Sequence, residues 1–322
     1  MSNEPQFLER KRPTPGLAVR ARGTLWRSEH TLGRFTRRAL SLALLAAGCL
    51  LCFRFYRGLP WSTVQAAIRR AGPSVVLLML APLVGNFVHM LGWRALLPAE
   101  VRPSPWRAFR IFVAAQAGNE IGLGVLGESV KITTLPGEQR AVATKAVVLD
   151  NLSSLVALVA VIGSVAGFVW RGALSLLVLL GVAAACGGWL VSRKQQSSSK
   201  RLRPLLTAFV AHYFGKLWIV AEFALALALL ATASARSSAL LALTSTIASC
   251  VGALVPGQLG ILEAALAGSA AAAKLSTSTV LTVSLLRRLR SVLWVALGAV
   301  FFSELCSKVS VGRNHASIAV AH

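Results

Sequence analysis

The sequence predicts an all-α polytopic membrane protein with about seven to eight transmembrane helices, one or two re-entrant glycine-rich segments, and an internal repeat suggested by two matching motifs. Three observations predict this class. The chain of 322 residues is 55% hydrophobic and 14% charged, with mean hydropathy +0.66, which is more apolar surface than a soluble domain can bury. Several apolar stretches approach the roughly 20 residues that cross a bilayer core. The alternating ten-residue segments of a β-barrel are missing.

Lys and Arg number 34 against 11 Asp and Glu, a net charge of +23. In a soluble chain that excess points to nucleic acid, but here no nucleic-acid motif accompanies it. The basic residues cluster at segment ends, where orientation by the positive-inside rule and anionic lipid head groups account for them. No nucleic-acid partner is expected.

Residues 1–38 are polar and basic, and Pro13 and Pro15 discourage helix, so they form a disordered cytoplasmic tail. The transmembrane domain covers 39–305, and 306–322 form a short C-terminal tail. A first span is expected over Ala39–Phe53. Trp61–Arg70 is amphipathic, with Trp61, Val64, Ala67 and Ile68 on one face, as suits a helix in the membrane interface. Further spans are expected over Ser74–Trp93, Val147–Trp170, Ala173–Val191, Thr207–Thr232, Ser238–Val255 and Val280–Glu304. The basic, polar run 193–203 is the internal linker.

Counting sides places a hairpin. With the basic tail inside, the loop carrying Arg94, Arg102, Arg107 and Arg110 is inside, and so is the linker at 193–203. Two spans separate the linker from Lys145, so residues 131–145 are inside too. The segment 110–131 therefore leaves and re-enters by one face, which demands protein or a polar cavity around it. Gly118, Asn119, Glu120, Gly122, Gly124 and Gly127 supply the break in helix. The stretch Val255–Lys274 is a second break, with Ala264–Ala273 as a half-helix.

Both breaks carry the skeleton Gly-x-Leu-Gly followed by an acid: Gly124-Val125-Leu126-Gly127-Glu128, and Gly257-Gln258-Leu259-Gly260 with Glu263 three residues on. A carboxylate at membrane depth is expensive and marks a site or a partner. Paired broken segments in two halves of a chain point to a transporter binding site. The plainer reading is close helix packing at the glycines with glutamates reaching an interface.

The other candidate site residues are cations and their partners. Glu128 and Lys131 are three apart and pair if that stretch is helical. Arg287 and Arg290 share a helix face inside an apolar span, with Arg288 about 100° round; Glu263 and Asp150 are the carboxylates available to them. Asp150 begins a polar stripe with Ser153 and Ser154 that should face the bundle interior. His212, Lys216 and Glu222 suit interhelical contacts. The five cysteines, Cys49, Cys52, Cys186, Cys250 and Cys306, sit in apolar surroundings, and the histidines lack metal spacing, so neither metal nor cofactor is expected.

In order along the chain, Gly92-Trp93-Arg94-Ala95-Leu96-Leu97-Pro98, the segment ending Gly127-Glu128, Val148-Leu149-Asp150, Pro256 to Glu263, and Ser284 to Arg290 form a series. On it the chain resembles the flippase-like family named for the transmembrane region of lysylphosphatidylglycerol synthase, and most resembles its hopanoid-biosynthesis-associated branch. The chain departs from the family's usual Asn-x-Leu-Leu-Pro with Asn119-Glu120-Ile121-Gly122-Leu123, and from its usual glycines after the second glutamate with Ala264 and Ala265. The resemblance implies a membrane protein with re-entrant segments that moves a lipid, or a lipid precursor, between leaflets of a bacterial inner membrane. Lipid head groups are then its ligands and lipid-biosynthesis enzymes its neighbours. On this reading the substrate-binding residues are Glu128, Glu263, Lys131, Asp150, Arg287 and Arg290, the re-entrant glycines are Gly124, Gly127, Gly257 and Gly260, and the two glutamates act in one site. The rival classes are an intramembrane lipid-phosphate hydrolase and a non-transporting scaffold. The first lacks a nucleophile arrangement beside either motif, so a non-enzyme is expected.

Overall fold

The computed structural model describes residues 46, 49–50, 52–59, 61–121, 125–172, 199–230, 234–252, 255 and 258–319. The chain divides after Ala46, and the helices named below belong to the second unit, residues 47–322. The expected span at 173–191, most of the span at 39–53, and the glycines Gly124 and Gly257 lie outside the described residues.

Every described element is helical. After helical residues 52–57 come α1 (Trp61–Ala71), α2 (Val75–Leu80), α3 (Pro82–Leu96), α4 (Pro105–Ile121), α5 (Val125–Thr133) and α6 (Arg140–Arg171). Then follow α7 (Ser199–Leu230), α8 (Ala235–Val251), α9 (Ile261–Ser269) and α10 (Thr277–Ala319). Among the described residues three stretches are long and apolar enough to cross a membrane, Val64–Leu96, Gly137–Arg171 and Leu202–Leu230; Ala235–Val251 is a shorter apolar helix.

The amphipathic stretch at 61–70 is helical, but its expected face is split. Val64 is buried in one apolar cluster with Leu59 and Leu281, while Trp61 and Ile68 stay exposed. The first long stretch is jointed twice, at Gly72 (φ +54°) in a 3-10 turn and at Ala81 before Pro82. Proline removes a helix hydrogen bond and frees carbonyls nearby. Two indoles take them up: Trp218 donates to the Ala81 carbonyl at 2.8 Å and Trp294 to Met79 at 3.0 Å. Satisfying such groups internally is obligatory where no water reaches.

The linker at 193–203 is shorter than its composition suggests. Helix α7 already starts at Ser199 and passes Pro204, the sixth residue, which removes one hydrogen bond to the Lys200 carbonyl near the helix start. Likewise α9 covers Ile261–Ser269 rather than 264–273, and α10 runs on to Ala319.

Helix α7 is the hub, packing on α3, α6 and α8, and small residues let it approach closely. Gly92 of α3 lies where a Cβ would come within 3.4 Å of Ala211, Ala208 and His212. The α4–α10 contact is as tight: a Cβ on Gly298 would stand 2.5 Å from Ala117 and 2.7 Å from the Val113 carbonyl.

Helices α4 and α5 form a hairpin. Near its tip the Gly127 N–H donates to Asn119 Oδ1 at 3.1 Å, and a Cβ on Gly127 would overlap the Ala115 carbonyl. The nine residues of α5, and the nine of α9, span only about 14 Å each, half a bilayer core.

The outer surface is apolar in helical register. On α6, Val148, Leu152, Leu155 and Val159 are exposed, and on α10 so are Leu289, Val292, Leu293 and Val300. Such a surface needs hydrocarbon around it.

Candidate functional site

Three groups of polar side chains lie between these apolar helices. The first joins α5, α6, α7 and α3. Lys131 Nζ stands 3.2 Å from Glu128 and 3.0 Å from Asp150 Oδ2, while Asp150 Oδ1 meets His212 Nε2 at 2.6 Å. His212 Nδ1 in turn lies 2.8 Å from His89 Nδ1. Phe112 of α4 closes one side, its ring stacked on His89 and 5.2 Å beneath the Lys131 ammonium. The expected Glu128–Lys131 pair is present, and Asp150 and Ser153 are buried as the stripe required.

The second group belongs to the second break. Glu263 is fully buried, and its carboxylate accepts from the Gly260 N–H (2.9 Å), Tyr56 Oη (3.2 Å), Ser284 Oγ (3.3 Å) and both Nε (2.8 Å) and Nη2 (3.1 Å) of Arg288. Arg288 Nη2 also donates to the Gln258 carbonyl at 2.9 Å. Gln258 (φ 52°) and Gly260 (φ 79°) are left-handed here, a conformation that glycine tolerates and glutamine resists. The glutamate thus caps α9 and, through Arg288, pins the loop that precedes it.

The third group lines a cavity of about 230 Å³ among α3, α4, α7 and α10. Its polar walls include Gln116, Glu120, Glu222, Arg287 and Arg290, with Asn86 and His89 from α3. Arg290 donates to Glu222 at 2.8 Å. Arg287 donates to Ser245 Oγ at 2.6 Å and lies 4.5 Å over the Phe223 ring, and no carboxylate among the described residues is in ion-pair contact with it. Along the same pair α3 and α4, Leu83, Val84, Phe87, Trp106 and Phe109 line a wholly apolar groove.

Two expectations need correction. Glu128 and Glu263 do not share a network: the first meets Lys131 and the second Arg288, and among the described residues no ion pair joins the two. The arginine that meets Glu263 is Arg288, not Arg287 or Arg290. Ser284 and Arg288 are one helical turn apart and face α9, whereas Arg287 and Arg290 are turned toward α7 and α8. Asp150 is taken by Lys131 and His212, so Glu222 is the carboxylate left for Arg290.

Sequence reasoning missed His89 as a site residue, for nothing in its own segment signals a partner. It set Arg288 aside as off the arginine face, although the Ser284–Arg288 spacing was a usable signal. Among the described residues no cluster of three or more His, Cys, Asp or Glu could hold a metal ion.

No curated protein and no solved structure matches the chain. A protein-family model described as Lysylphosphatidylglycerol synthase TM region matches residues 38–298, well over half of the chain, and it ends inside the helix that carries the arginines. The protein therefore belongs to that family of membrane proteins tied to lipid metabolism.

Proposed function

We propose that this protein moves a membrane lipid or lipid precursor between leaflets, taking the head group through the arginine-lined cavity while the acyl chains stay in the bilayer. One observation carries this reading: Arg287, on a helix with an apolar outer face, borders a cavity of about 230 Å³ without an ion-paired carboxylate among the described residues. A guanidinium at membrane depth costs roughly 3 kcal/mol or more unless an anion joins it. The anion that a membrane supplies is a lipid phosphate, which a planar guanidinium binds well. The cavity has room for a polar head group but not for two acyl chains, and the apolar groove along α3 and α4 offers those chains a track.

On this reading the α4–α5 hairpin and the α9 segment are re-entrant, since α5 and α9, at nine residues each, are too short to cross alone. The protein sits in a bacterial inner membrane with its basic N-terminus in the cytoplasm, and it is a transporter rather than an enzyme. The motif series shared with the hopanoid-associated branch makes hopanoid-type lipids a cargo to test beside phospholipids.

The test uses the full-length protein in phosphatidylethanolamine–phosphatidylglycerol vesicles carrying a trace of fluorescent phosphatidylglycerol, or of a labelled hopanoid. Wild type should equilibrate label across the leaflets at least tenfold faster than protein-free vesicles, and Arg287→Ala should lose most of that gain. Released phosphate would instead make the protein a hydrolase. Neither lipid movement nor phosphate release would leave a scaffold and end the transport reading.

A further inference from the structure

We propose that the buried chain His89–His212–Asp150–Lys131–Glu128 is a proton relay opening on the cavity, so that protons are a second substrate of this protein. The relay stands on its own geometry; that it drives lipid movement rests on the translocation reading above.

The five side chains come from four helices and touch in sequence, at 2.8 Å between the imidazoles, 2.6 Å from His212 to Asp150, 3.0 Å from Asp150 to Lys131 and 3.2 Å from Lys131 to Glu128. The partners assign the tautomers. Asp150 Oδ1 accepts, so His212 carries its proton on Nε2. The neutral ring then has a bare Nδ1, which must accept from Nδ1–H of His89. His89 is left with a bare Nε2, a base at the mouth of the chain.

That mouth is open by construction. His89 and Gly215 both line the cavity, and a Cβ on Gly215 would stand 2.7 Å from His89 Nε2. At the far end, the Glu128 side chain is 21% exposed although its Oε2 is buried, whereas those of Lys131, Asp150 and His212 are 6%, 3% and 4% exposed. The ends therefore meet different surroundings, and the middle is dry.

The transfers balance. A proton from the cavity adds to His89 Nε2, and the proton on His89 Nδ1 passes to His212 Nδ1, placing an imidazolium against Asp150. His212 Nε2–H then goes to Asp150. Lys131 gives one proton to Glu128 and takes that one from Asp150. Lys131 ends as the ammonium it began as, Asp150 as a carboxylate, and Glu128 as a carboxylic acid that can release its proton; both imidazoles end in the opposite tautomer, and rotation of the two rings restores them before the next proton. With both imidazoles neutral the chain holds two carboxylates and one ammonium, a net charge of minus one, so one added proton neutralises it.

Other charges bear on the pair. Lys216 of α7 lies one turn from His212 and borders a separate cleft with Val161 and Val165. Across the cavity stand Glu120 of α4, Glu222 of α7, and Arg287 and Arg290 of α10. An anionic head group entering beside Arg287 would favour a proton on His89, so cargo and proton assist each other through one cavity.

The experiment traps a pH-sensitive dye in vesicles of phosphatidylethanolamine and phosphatidylglycerol with full-length protein, imposes a pH step outside, and follows dye and fluorescent phosphatidylglycerol together. Wild type should admit protons at least fivefold faster than empty vesicles. His89→Gln and Gly215→Ala should each remove that gain, the first by deleting the base and the second by covering it. His212→Gln, which can still donate to Asp150, guards against a folding failure at position 89 and should behave alike. Proton entry without lipid movement would uphold the relay and overturn the translocation reading. Lipid movement indifferent to the pH step, with proton entry at the level of empty vesicles, would overturn the relay and leave that reading standing. Wild-type proton entry unchanged in all three variants would also overturn it.

Discussion

Arg288 and Arg287 are neighbours in sequence, and their removal should have opposite consequences. Arg288→Ala strands the carboxylate of Glu263, which is fully buried and would keep only Tyr56, Ser284 and the Gly260 N–H as donors. Removing one partner of a buried ion pair typically costs about 3–5 kcal/mol. Arg288 is itself 20% exposed, and three donors remain, so we expect the lower end, about 3 kcal/mol. Glu263→Gln keeps an acceptor for the helix cap and removes the charge. The double variant should therefore regain about 1–2 kcal/mol relative to the sum of the single changes. Arg287→Ala removes one hydrogen bond to Ser245 and the stack on Phe223, about 1–2 kcal/mol, but also relieves the cost of a guanidinium at membrane depth, so stability should not fall while most of the lipid movement is lost. The assay is equilibrium unfolding in mixed micelles, read by tryptophan fluorescence, with vesicle transport measured on the same preparations. A cost below about 1 kcal/mol for Arg288→Ala, or strict additivity with Glu263→Gln, would refute the assignment of that pair to structure.

Glycine positions separate packing from conformation. Gly127→Ala and Gly298→Ala should sharply lower the midpoint of thermal unfolding, since their new Cβ atoms would overlap the Ala115 carbonyl and the Ala117 side chain, whereas Gly268→Ala faces open space and should be neutral or stabilising by up to about 1 kcal/mol. Lys131→Met should destabilise more than Glu128→Gln, because it strands two carboxylates, one of them at 3% exposure; melting curves of the two variants give the order directly. Single cysteines at Glu100 and Gly137, in a cysteine-free background, should be labelled by an impermeant thiol reagent from the same side and one at Gly172 from the other. Labelling of 100 and 137 from opposite sides would mean that the α4–α5 hairpin crosses the membrane.

The class of this protein and most of its described helices were legible in the sequence, because apolar length, helical period and glycine punctuation are local properties. So was the Glu128–Lys131 pair, which needs only three residues of helix. Boundaries slipped where composition misled: polar Ser199 to Arg203 belong to α7 because a helix tolerates polar residues in a first turn. The partners of the other charges were decided by tertiary structure. One residue along a helix is a turn of about 100°, so whether Arg287 or Arg288 meets Glu263 depends on which side of α10 the short α9 occupies. His89 and His212 are 123 positions apart, and only the close approach of α3 to α7 at Gly92 and Gly215 brings their rings together. Sequence spacing determines which residues share a face; packing decides what that face meets.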